Sequence, residues 1–98
     1  MIGDPMSDVP SNISREHLLK AIKRIDNEGV EKGAHSSTYD VLFEGKRYPS
    51  KLVVSWANEF ANGQILDRDM FKGGLKSACF KVITKAGLEI VEKESNII

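Results

Sequence analysis

The sequence has a single cysteine, Cys79, among 98 residues, so neither an internal disulfide nor a cysteine-based zinc site can form. Nothing approaches the roughly 18 consecutive apolar residues of a spanning helix, and no membrane span is expected. A charge excess of either sign is also missing. The 14 Lys and Arg balance 14 Asp and Glu, which taken alone argues against a nucleic-acid binder. The two histidines, His17 and His35, have no carboxylate or thiol at ligand spacing, and both read as ordinary surface residues. Internal repeats, low-complexity tracts, a nucleophile elbow and a His-rich ββα-metal pattern are all absent. These absences together describe a chain with no catalytic machinery, no metal and no cofactor.

What is present is the composition of an ordinary soluble domain. At 41% hydrophobic and 29% charged residues, the chain can bury one modest core. Residues 1–13 are expected to form a disordered leader, 14–92 a single domain and 93–98 a frayed tail. Between Met1 and Ser14 there are two acids, no basic residue and no apolar block. That pattern does not suit a secretory signal, so a cytoplasmic setting is expected and the Asn12-Ile13-Ser14 sequon reads as accidental.

The balanced charge is unevenly distributed. From Lys46 to Asn58 there are three basic residues and no acid, and from Phe71 to Ala86 four lysines and no acid. The acids gather between Asp26 and Glu31, at Glu59, Asp67 and Asp69, and between Glu89 and Glu94. Such segregation produces either one basic face on a neutral molecule or merely solvated helix faces.

The most informative local pattern is Tyr39-Asp-Val-Leu-Phe-Glu-Gly-Lys-Arg-Tyr-Pro-Ser-Lys51. Glu44-Gly45 separates two runs rich in β-branched and aromatic residues, which predicts a β-hairpin with Val41 facing Tyr48 and Leu42 facing Arg47. Pro49 cannot donate to a ladder but suits the first turn of a helix, so strand passes into helix at Tyr48-Pro49. Upstream, Ser14 is a good N-cap, with Ile13 and Leu18 placed for a hydrophobic staple. The helix it opens carries Leu18, Leu19, Ala21, Ile22 and Ile25 to about Glu28, where Gly29 stops it. Downstream of Pro49, Val53, Trp56, Ala57, Phe60 and Ala61 predict a helix to Asn62 with one apolar stripe. Lys51, Ser55, Asn58, Glu59 and Asn62 then form its polar face. A third helix is expected to open at Gly73-Gly74 and run to Ala86, with Leu75, Ala78, Cys79, Val82 and Ile83 inward. Leu88 to Glu92 alternates as a strand able to pair with the hairpin. The fold class is α+β, three helices packed on a small antiparallel sheet.

Candidate chemistry centres on the third helix. Gly73-Gly-Leu-Lys-Ser77 is not a P-loop, because Leu75 separates Gly74 from Lys76 and Asp69 stands where the first glycine belongs. Two readings of the glycines remain. They either let a phosphate approach backbone N–H groups, with Lys72, Lys76 and Ser77 adding donors, or only make a tight turn. Asp67 and Asp69 flank Arg68 and would hold Mg²⁺ only with acids from elsewhere; a solvated loop is the simpler reading.

Several marks occur together: the hairpin ending in Arg47-Tyr48-Pro49, Lys51 two residues later, Ser55-Trp-Ala57-Asn58 on the following helix, and Phe71-Lys-Gly73-Gly74 before the next. In these the segment of residues 14–92 resembles the N-terminal head domain of ScoMcrA-like and McrB-like restriction endonucleases, modification-dependent enzymes of bacterial phage defence. Ser50 replaces a second proline common there, and Ala86-Gly87-Leu88 replaces Leu-Gly-Phe. In those enzymes the head precedes modules that read modified DNA and, in the McrA type, an HNH nuclease. The resemblance therefore implies a DNA-restriction context and a DNA-binding accessory role without cleavage by this chain. On that reading Arg47, Lys51, Lys76 and Lys81 contact phosphates. Tyr48, Ser55, Asn58 and Ser77 offer polar contacts to sugar or base, and Lys72, Gly73 and Gly74 complete the anion site. DNA, modified or not, is the expected partner, together with nuclease or other domains of a larger restriction protein. The alternative is a protein-docking or oligomerisation module of the same system.

Overall fold

Glu44 and Gly45 both take positive φ, 51° and 79°, the pattern of a type I′ turn whose twist matches the strands it joins. The turn closes β1 (Tyr39–Phe43) onto β2 (Lys46–Pro49). The register is the expected one, with Val41 opposite Tyr48 and Leu42 opposite Arg47. This computed structural model describes residues 9–10, 12–30, 39–66 and 77–92. Among them, α1 (Arg15–Glu28) precedes the hairpin, α2 (Ser50–Asn62) follows it directly, and α3 (Ala78–Lys85) leads into β3 (Glu89–Glu92). β3 pairs antiparallel with β1, giving the order β2-β1-β3, so the α+β arrangement with a three-stranded antiparallel sheet is the one the sequence predicts. Because β2 is an edge strand, Pro49 closes it with no loss of ladder bonds and becomes the N-cap of α2.

α1 begins where Ser14 adopts an extended conformation, and Ile13 and Leu18 are both buried. His17, three residues into the cap, accepts a hydrogen bond from the Ser14 amide through Nδ1 at 3.0 Å, which gives this histidine a capping role. Leu18, Ala21, Ile22 and Ile25 form the buried face, and Gly29, with φ 82°, receives the chain. Packing starts upstream of the cap. Val9, in a segment expected to lack structure, is buried in the core, and Asn12 exchanges two amide hydrogen bonds with Asn62.

α2 corrects the sequence reading most. A single apolar stripe was expected, but Ser50 and every residue from Leu52 to Asn58 are buried. The helix lies against α1, α3 and both strands of the hairpin, so little of its circumference meets water. Ser55 and Asn58, assigned to the polar face, are therefore inside. Phe60 deviates in the other direction and is 42% exposed. It lies one turn beyond Trp56, among Lys20, Lys23 and Arg24 of α1 instead of apolar core, with the Lys20 ammonium 5.9 Å from its ring centre. Trp56 is core as expected, capped by the Arg24 guanidinium 4.4 Å above the ring. The same guanidinium bonds Glu28 and Glu59 and so ties α1 to α2.

The third helix starts later than its apolar pattern suggests. Ser77 is extended and its hydroxyl accepts from the Phe80 amide at 3.2 Å, so α3 begins at Ala78 and not at the glycines. Gly73, Gly74 and Leu75 lie outside the described residues. Phe80, absent from the expected stripe, is buried edge-on against Tyr39 with ring centres 5.1 Å apart.

Candidate nucleic-acid interface

Of the eleven residues proposed from the sequence, seven are described; Lys72, Gly73, Gly74 and Lys76 fall outside the described residues. Three of the seven are buried and already engaged. The Ser55 hydroxyl donates to the Leu66 carbonyl while the Leu66 amide donates to the Ser55 carbonyl, which folds the segment after α2 back along the helix. Asn58 is 1% exposed, donates to the Gln64 carbonyl at 2.7 Å and accepts from the Asn62 amide at 2.6 Å. Tyr48 is buried on the helix side of the sheet, and its hydroxyl donates to Asp26 of α1 at 2.9 Å. Burial, that hydrogen bond and the charges of Asp26 and Glu44 push its phenol up to about 12. None of the three presents a free polar group to a ligand. Ser77 likewise spends its hydroxyl on the N-terminus of α3.

The remaining three are cations. Arg47 is exposed on β2, with a guanidinium N–H 3.4 Å from the Glu92 carbonyl. Lys51 is half-buried in the first turn of α2, close enough to Cys79 for its charge to oppose the burial that raises this thiol to about 12. The Cys79 sulfur, 4.0 Å from the Ser50 carbonyl, marks where the first turns of α2 and α3 meet. Lys81 is exposed on α3.

Lys81 borders a groove of about 630 Å³ between the start of α1 and α3. Its floor is apolar, formed by Val9, Ile13, Ala78, Val82 and Ala86, and Arg15, Lys81 and Lys85 bring three positive charges to it. No carboxylate is among its described lining residues. Lys81 and Lys85 are one helical turn apart and therefore project together. Arg15 is held differently. Its guanidinium donates to the Ala86 carbonyl at 2.8 Å, which satisfies the last turn of α3 and stations a cation at the negative end of that helix. Gly87 completes this junction. Its φ is 84°, and a Cβ there would come within 3.3 Å of the Arg15 guanidinium.

Sequence reasoning found Lys81 and the lysine run that contains Lys85, but not Arg15. No local signal connects Arg15 with Ala86, 71 positions away, since only the tertiary fold, with α1 and α3 both packed on α2, joins them. Among the described residues no group of three His, Cys, Asp or Glu side chains could hold a metal ion, and no helix is long and apolar enough to cross a membrane.

The family model of the ScoMcrA-like N-terminal head domain matches residues 11–92, most of the chain and all three helices and strands described above. The chain belongs to this family. The family is the head domain of ScoMcrA-like restriction proteins, consistent with an accessory module that does not carry the catalytic centre. Comparison with curated proteins and with solved structures gives no match.

Proposed function

We propose that this head domain is a non-catalytic DNA-binding accessory module of a phage-defence restriction system and that it contacts DNA through the cations of the α1–α3 groove. The observation that carries the reading is electrostatic. On a molecule with no net charge, Lys20, Arg24 and Lys46 are each matched to a carboxylate, whereas Arg15, Lys81 and Lys85 meet around a groove with no carboxylate among its described lining residues. Phosphates would release counterions on reaching that cluster, which is how a neutral protein acquires a salt-dependent affinity for nucleic acid.

The test is fluorescence anisotropy with labelled DNA across a salt series. Binding in the range of about 1–100 µM is expected, as for sequence-independent contacts, with a log–log salt slope of magnitude roughly 2–3 for three cations. Lys81→Ala combined with Lys85→Ala should weaken binding to every sequence and lower that slope by about 2 without changing the melting temperature. Failure of both duplex and single-stranded DNA to bind at low salt would refute the proposal. The rival reading, docking onto other domains of the restriction protein, is favoured by the exposure of Phe60 and Ile65, 42% and 45%. It predicts that Phe60→Ser weakens such docking while the lysine variants do not.

A further inference from the structure

The groove differs from a plain basic patch in its floor. Val9, Ile13 and Val82 are buried beneath it, and the small side chains of Ala78 and Ala86 leave the space open above them. A duplex keeps its bases stacked inside and offers a wall of phosphates, so it would satisfy Arg15, Lys81 and Lys85 while leaving the apolar floor to water. A strand with unstacked bases presents phosphates and apolar base faces on the same few nucleotides. The volume, about 630 Å³, lies within the roughly 300–1,000 Å³ of pockets that take small organic groups.

We infer that the α1–α3 groove takes single-stranded DNA, with base faces against Ala78 and Ala86 above the buried Val9, Ile13 and Val82, and phosphates on Arg15, Lys81 and Lys85. The inference rests on the DNA-binding reading above and specifies the form of DNA that the groove selects. Arg15 fixes the geometry, because its bond to the Ala86 carbonyl holds a cation over one end of the floor while Lys81 and Lys85 project from α3. The charge count suits a short stretch, about three phosphates for three cations.

Anisotropy with a fluorescein-labelled oligothymidine strand, an unrelated strand of mixed sequence and the duplex of that mixed sequence provides the test. Both single strands should bind about tenfold more tightly than the duplex at equal salt, because base contacts add to phosphate contacts only for the strand. Ala78→Leu fills the floor with a good helix former, and it should cost the single strands about tenfold in affinity while the melting temperature stays unchanged. If that variant fails to fold, Ala86→Leu fills the other end of the same floor and gives the same readout. Lys46→Ala, at the start of β2 and outside the groove lining, should change nothing. A duplex that binds as tightly as the strands, or strand binding indifferent to the filled floor, overturns this inference and leaves DNA binding by the head domain standing. An acidic amphipathic peptide that displaces the strand and binds more tightly overturns it in favour of a protein partner. Loss of all DNA binding overturns both readings.

Discussion

Asn58 is the residue where a DNA-contact role and a folding role make opposite predictions. As a DNA contact, Asn58→Ala would leave stability alone and reduce affinity. In the structure its amide is 1% exposed and joins the Gln64 carbonyl to the Asn62 amide, which in turn reaches Asn12. Truncation removes two hydrogen bonds, each worth about 1 kcal/mol net, and leaves a small void where the amide stood. Gln64 and Asn62 are exposed and can recruit water, so the full penalty of orphaned buried groups does not apply. The expected cost is about 2–3 kcal/mol, a large share of the roughly 5–10 kcal/mol available to a domain of this size. In urea, with m near 1–1.5 kcal/mol/M, the midpoint should drop by about 2 M. Asn58→Leu restores the volume without the hydrogen bonds and should recover only part of the loss. A midpoint for Asn58→Ala within about 0.5 M of the parent protein would refute the bridging role. DNA affinity measured well below the unfolding transition should not change.

Two further predictions concern the hairpin. Tyr48 normally ionises near pH 10 and is held to about 12 in the fold, so below pH 10 folded and unfolded chains both keep the proton and its stabilisation is complete. Between about pH 10 and 12 the unfolded chain releases the proton first, and stability should fall by up to about 3 kcal/mol. Cys79, raised from 9.0 to about 12, adds to the same decline from pH 9 upward, so the diagnostic comparison is with Tyr48→Phe. That variant should lose about 1 kcal/mol at neutral pH and show a shallower alkaline decline by chemical denaturation; identical alkaline slopes would refute the assignment. Glu44, at φ 51°, occupies a left-handed position that Asn tolerates better, so Glu44→Asn should raise stability by about 0.5 kcal/mol in thermal melts, and a lower melting temperature would contradict the turn geometry.

Local rules of the chain determined the hairpin and its neighbours. Glu44-Gly45 determined the turn and hence the pairing of Val41 with Tyr48, because a two-residue loop leaves no freedom of register. Ser14, Gly29 and Pro49 marked helix boundaries within a residue, since capping and φ restrictions act on near neighbours. Family membership was legible for the same reason, through motifs carried on those short elements. Periodicity could not decide how many partners α2 would have. A stripe pattern assumes one buried side, whereas α2 is enclosed by α1, α3 and the hairpin, which turned Ser55 and Asn58 from candidate contacts into buried ties for the segment ending at Leu66. Phe60 went the other way because it lies one turn past Trp56, among the charged side chains of α1. The α1–α3 groove was decided by tertiary structure alone: Arg15 and Ala86 have no relation in sequence, and only the packing of both helices on α2 brings that guanidinium beside Lys81 and Lys85 over an apolar floor.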